Sequence, residues 1–171
     1  MGCRSCLSTC LGNLDKQYAY SVHGLLDALK ITFNFIAWIS LATVPYLSGL
    51  LSFVLSCLIS DFIWGLIRTI LQGWCMDWIK RVCCCIDYRF GLFLINLFWM
   101  ILDGVCVILA GIGMISYSGE NGYVALCVEI TFLCFVMVLH GYHAYIYYTE
   151  RKTDEPYRVF GSPQVAVTVS V

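Results

Sequence analysis

The sequence predicts an all-α integral membrane protein, a bundle of four transmembrane helices with very short outer loops and both termini in the cytosol. Three observations carry this. Sixty per cent of the 171 residues are apolar and only 12% are charged, with a mean hydropathy of +0.81. So much apolar surface exceeds what one soluble core of this length can bury. The apolar residues fall into four windows of the length a helix needs to cross a bilayer, roughly 20 residues at about 1.5 Å each. Finally, all ten Lys and Arg residues sort to one side of those windows, the pattern that marks the cytosolic face.

The first segment, residues 1–21, places Cys3, Cys6, Leu7, Cys10, Leu11 and Leu14 on one helical stripe opposite Arg4, Ser5, Ser8, Thr9 and Asn13. That is the pattern of a helix lying in the membrane plane. Its cysteines, at headgroup depth, are candidates for S-acylation. The opening Met1-Gly2 lacks the Ser or Thr at position 6 that N-myristoylation favours, and no basic start with an apolar stretch suggests a cleaved secretory signal.

The spans are expected at 22–43, 46–71, 90–115 and 123–148. Turn formers separate the first pair (Val44-Pro45-Tyr46-Leu47-Ser48-Gly49) and the second (Ser116-Tyr117-Ser118-Gly119-Glu120-Asn121-Gly122). In the first span, Asp27 and Lys30 stand at i, i+3 near the cytosolic boundary and are expected to snorkel to the headgroups. Arg68, near the end of the second span, is expected to anchor to headgroups, with Asp61 as its other candidate partner. Tyr18, Tyr20, Tyr145, Tyr147 and Tyr148 fit an interfacial aromatic belt.

Within the spans, Asp61, Asp103 and Glu129 each cost at least ~2.5–3.5 kcal/mol in hydrocarbon and require a reason. Asp61 lies roughly 15 Å and Asp103 roughly 20 Å from the inner ends of their spans, with Glu129 nearer the outside. Asn96 and Asp103 share a face at i, i+7, and Glu129, His140 and His143 share one on the last span at i, i+11, i+14. Together Asp61, Asn96, Asp103, Glu129, His140 and His143 make a polar ladder. It serves either as a path for protons or cations or as hydrogen-bonded glue that fixes helix register. Ser48, Ser52, Ser56 and Ser60 form a small-residue stripe expected to pack against another helix, in the same chain or in a second subunit.

An inner loop, 72–89, carries Cys75, Cys83, Cys84 and Cys85 beside Trp74, Trp78 and Lys80, further S-acylation candidates. Eleven cysteines occur, but neither outer loop holds one, so no disulfide framework is expected. Cys3 and Cys6 stand at Cys-x-x-Cys spacing, but no second such pair or His-x-x-x-His partner supports a zinc site, and no metal, cofactor or catalytic residue is assigned. A net charge of −1 without a basic stripe excludes nucleic acid.

The tail, 149–171, turns abruptly polar at Thr149-Glu150-Arg151-Lys152 and is expected to be flexible. Tyr157-Arg158-Val159-Phe160 matches the sorting signal that clathrin adaptors bind, and Val169-Ser170-Val171 matches a PDZ-domain ligand.

Cys83-Cys84-Cys85-Ile86-Asp87-Tyr88-Arg89-Phe90-Gly91 resembles the Cys-rich, Arg-Thr-Gly boundary in lysosome-associated four-span proteins of the LAPTM type and their small arthropod relatives. Here Phe90 replaces the Thr, and the motif precedes the third span instead of the first. The resemblance implies endolysosomal or junctional membranes and partner binding. The Met-Gly-Cys opening is shared with tetraspanins, but their large Cys-Cys-Gly outer loop is absent, and outer loops this short offer no claudin-like adhesive domain.

Two functions follow as expectations. The first is a non-enzymatic membrane protein of the plasma or endolysosomal membrane. It would organise or traffic partners through its cytosolic face, with membrane lipids around it and homo- or hetero-oligomers formed through the spans. The alternative is a small proton or cation channel or transporter that uses the intramembrane carboxylates and histidines.

Overall fold

The computed structural model describes residues 18, 20–44, 48–74, 88–116 and 121–153. They form α1 (Val22–Ala42), α2 (Gly49–Trp74), α3 (Tyr88–Ser116) and α4 (Asn121–Thr153). All four are long and apolar enough to cross a membrane, with window mean hydropathies of 1.5, 2.1, 2.4 and 2.3. Ser21 caps α1, its hydroxyl accepting from the Gly24 amide at 3.2 Å. The expected tail boundary at Tyr148 moves outward. α4 runs on to Thr153, because Thr149-Glu150-Arg151-Lys152 contains no helix breaker and the first one comes only at Pro156.

Cross-helix contacts fix the register. Asn34 meets Asp61 and Ile31 meets Gly65 between α1 and α2. Leu51 meets Gly113 and Arg68 meets Asn96 between α2 and α3. Met114 meets Cys127 and Met100 meets Gly141 between α3 and α4, and His23 meets Glu150 and Lys30 meets His143 between α4 and α1. In every case residue numbers rise on one helix as they fall on its neighbour. The bundle is therefore up-down-up-down, with each helix antiparallel to the two beside it.

Each helix buries one stripe at helical spacing. On α1 it is His23, Asp27, Lys30, Asn34, Ala37 and Leu41, and on α2 Leu51, Val54, Leu58, Asp61 and Arg68. On α3 it is Asn96, Trp99, Asp103, Cys106 and Ala110, and on α4 Leu126, Glu129, Leu133, Val136, His140, His143 and Tyr147. Apart from Glu129, the stripes are apolar at one end of the bundle and polar at the other. Outward faces are the reverse of those in a soluble bundle: Ile108 is 64%, Ile115 75% and Val138 62% exposed, while Lys30, Arg68 and Asp103 are 3–5% exposed. An apolar exterior around a charged interior suits lipid as the solvent.

The serine stripe does not pack against another span of this chain. Ser48, Ser52, Ser56 and Ser60 all lie exposed, and Ser56 and Ser60 donate to their own i−4 carbonyls at 2.9 and 2.8 Å. Those bonds satisfy the hydroxyls and let the stripe face lipid at small cost. The close approach of α2 to α3 occurs instead at Gly113, where an added Cβ would lie 2.8 Å from a Leu51 methyl. Gly113→Val is expected to cost ~1–3 kcal/mol by overpacking this contact. Gly111→Ala, which meets nothing within 4 Å, should not lower stability. Unfolding of the two variants in mixed micelles checks the contrast.

Candidate cation site

The polar half of the bundle is one connected network, and its construction starts just before α1. The Ser21 hydroxyl donates to the Tyr18 carbonyl at 2.7 Å, which holds the Tyr18 ring over the first turns, where its hydroxyl donates to Asp27. Burial, and then the neighbouring Asp27 carboxylate, push the Tyr18 hydroxyl above its ordinary pKa, so it remains a donor. Asp27 also binds Arg68 at 2.5 Å and Lys30 at 2.9 Å.

These two cations fix the orientation of everything they touch, because Lys and Arg can only donate. Lys30 Nζ and Arg68 Nη1 donate to Asn96 Oδ1 at 3.1 and 3.0 Å, while Asn96 Nδ2 donates to the Leu92 carbonyl at 2.7 Å. The Asn96 amide is thereby set, without recourse to which atom is drawn as oxygen. Lys30 Nζ and Arg68 Nη2 also donate to His143 Nδ1 at 2.9 and 2.8 Å. His143 therefore carries its hydrogen on Nε2 and donates to His23 Nδ1 at 2.8 Å, and His23 Nε2 donates to Glu150 Oε1 at 2.8 Å. Tyr147, fully buried, is the floor of this wire, with its ring centroid 4.6 Å from that of His23 and 4.7 Å from that of His143.

On its other side Asn96 Oδ1 lies 3.2 Å from His140 Nδ1, which must therefore bear the hydrogen. In the neutral ring His140 Nε2 then presents a lone pair to Asp61 Oδ2 at 3.4 Å and to Asp103 Oδ2 at 3.9 Å. Asp61 Oδ2 already accepts from Asn34 Nδ2 at 2.5 Å, and Asp103 Oδ2 has no hydrogen-bond partner among the described residues. Acceptor thus faces acceptor in a buried site, an arrangement that a proton shared between them or a bound cation satisfies. A cavity of about 10 Å³ lined by Asn34, Asp61, His140, Lys30 and Arg68 adjoins the site, room for about one water molecule.

The ladder read from the sequence thus divides. Asp61, Asn96, Asp103, His140 and His143 come together. Glu129 stands apart, fully buried with neither carboxylate oxygen hydrogen-bonded among the described residues. Leu58, Cys106, Leu133 and Val54 fill the bundle between Glu129 and the trio. Asp27 and Lys30 do not snorkel and Arg68 does not anchor to headgroups, since all three are buried and the two cations bind Asp27, Asn96 and His143 inside the bundle. Of the tyrosines assigned to the belt, Tyr18 and Tyr147 are interior while Tyr20, Tyr145 and Tyr148 are exposed. His23, Asn34 and Glu150 were not singled out by sequence. The signal for the first two was their i, i+11 placement on the face that also carries Asp27 and Lys30. The acylation candidates Cys3, Cys6, Cys10, Cys75, Cys83, Cys84 and Cys85, the sorting pair Tyr157 and Phe160, and the terminal Val169 and Val171 lie outside the described residues.

Comparison with protein-family models, with curated proteins and with solved structures finds no match to this chain.

Proposed function

We propose that this chain is a small cation-handling membrane protein, a carrier that admits a proton or metal cation from one face of the bilayer and holds it at Asp61, Asp103 and His140. The single observation behind this reading is the convergence of buried acceptors with no donor between them. A network serving only as glue would pair its acceptors with donors. The two buried cations, Lys30 and Arg68, are spent on Asp27, Asn96 and His143 and leave the trio to another positive charge.

The positive-inside pattern puts both ends of the chain, and with them Glu150, on the cytosolic side. The His143-His23-Glu150 wire then leads from that side into the network, and Glu150 lies about 15 Å along α4 from His140. Beyond the trio the packed Leu58, Cys106 and Leu133 layer closes the bundle, and Glu129 provides the next carboxylate on the far side. Such a barrier favours a carrier with two arrangements over an open pore. The organising or trafficking role expected from the cytosolic segments rests on residues outside the described structure and stands on sequence alone.

Flux measured in liposomes holding the purified chain tests the reading. Proton or divalent-cation uptake above that of empty liposomes is expected, with at least about a tenfold loss in Asp103→Asn. Glu129→Gln should slow uptake by removing the far station. Absence of uptake of either ion by wild type would return the carboxylates to a structural role.

A further inference from the structure

We infer that Asp61, Asp103 and His140 form a binding site for a first-row divalent transition-metal ion, with Asn34 as a further oxygen donor. This rests on the cation-handling reading and names the chemical class of the cation.

Geometry comes first. The candidate ligand atoms of Asp61, Asp103 and His140 lie within 4.8 Å of one another, and all three residues are buried. His140 Nε2 and Asp61 Oδ2 are 3.4 Å apart, long for a hydrogen bond to a carboxylate, where about 2.7–2.9 Å is usual. Two ligands each about 2.0–2.1 Å from a tetrahedral ion stand about 3.3–3.4 Å apart, which is the separation found. The wider 3.9 Å between His140 Nε2 and Asp103 Oδ2 is spanned by the same ion at a more open angle. Each ligand comes from a different helix, α2, α3 and α4, so the ion would tie three parts of the bundle together.

Two independent features point to the same ligand. Asn34, 1% exposed, lines the cavity beside Asp61 and His140, and its Oδ1 has no hydrogen-bond partner among the described residues. A buried amide oxygen without a donor is costly unless something positive reaches it. Asn96 provides the second feature. By accepting from His140 Nδ1–H at 3.2 Å it fixes the tautomer that turns the Nε2 lone pair on the carboxylates, the outer-shell arrangement common to metal-bound histidine. Asn96 is itself held by Lys30 and Arg68, so it acts as a positioning residue.

The donor set selects the class. One nitrogen with carboxylate and amide oxygens, and no thiolate, suits Mn²⁺, Fe²⁺, Co²⁺ or Zn²⁺ better than the soft Cu⁺.

The test uses the full chain in detergent or nanodiscs, titrated with Mn²⁺ and followed by loss of the free-ion EPR signal, a probe with little affinity for the chain's many thiols. Saturable binding of one Mn²⁺ per chain, displaced by Zn²⁺, is expected. Asp103→Asn and Asp61→Asn should weaken it by on the order of 100-fold or more, and Asn96→Ala by ~10–100-fold. Ser56→Ala, on the lipid-facing stripe, should bind as wild type does. Absence of saturable binding by the wild-type chain, or binding indifferent to both aspartate changes, overturns the inference whether or not the variants fold. Proton flux without metal binding overturns it while leaving the cation-handling reading in place. Metal binding without flux of either ion sustains the site and removes the carrier.

Discussion

Asp27→Asn is expected to cost ~3–5 kcal/mol of stability, the largest effect of any single substitution in the bundle. Among the described residues Asp27 is the only carboxylate bonded to both Arg68 and Lys30, at 2.5 and 2.9 Å, and it also receives the Tyr18 hydroxyl. Making it neutral leaves two buried cations side by side with an amide between them. Lys30→Met removes one of those cations while keeping the Asp27–Arg68 pair, so alone it should cost much less. In combination with Asp27→Asn it should recover part of the loss, because a single cation then remains near Asn96 and His143. A double-mutant cycle, read by unfolding in mixed micelles, isolates the coupling. An Asp27→Asn variant within about 1 kcal/mol of wild type, where surface substitutions usually fall, would place Asp27 at the lipid headgroups and not in the interior.

The second large effect has the opposite sign. Asp103→Leu should raise stability by ~1–3 kcal/mol, since it removes a buried carboxylate oxygen that no donor satisfies. The same change should abolish cation uptake. A residue that lowers stability yet is needed for transport is the signature of a functional site, whereas a hydrogen-bonded helix tie at position 103 would lose stability on becoming Leu. The contrast with Asp27 is the useful part. Two aspartates in the same network are predicted to respond in opposite directions, because one is over-supplied with donors and the other has none among the described residues.

The helices were legible in the sequence because each is a long apolar window between turn formers, and hydropathy reports length directly. The shared faces of Asn96 with Asp103 and of His140 with His143 followed from helical spacing. The fate of Asp27, Lys30 and Arg68 was hidden. A charge near the end of a span can reach headgroups or turn inward, and residue number alone gives its depth without its direction. The face of α1 held the missing signal: His23, Asp27, Lys30 and Asn34 repeat at helical spacing and continue as Ala37 and Leu41. A charge meant for headgroups has no need to line up with a core stripe. The side of α2 that packs within the chain was hidden for a related reason. Small size suits close packing, but hydroxyls bonded to their own helix suit lipid as well, and the stripe that packs on α2 is Leu51, Val54, Leu58, Asp61 and Arg68. The convergence of Asp61, Asp103 and His140 depends on the register between helices, which no single segment encodes.

The most direct test of the central claim is ion uptake into liposomes holding equal amounts of wild-type chain or Asp103→Leu, with the fold of each verified beforehand by its unfolding transition. The account predicts proton or divalent-cation uptake by wild type and only background uptake by a variant at least as stable. Equal uptake by the two, or none by either, would contradict cation transport through Asp61, Asp103 and His140.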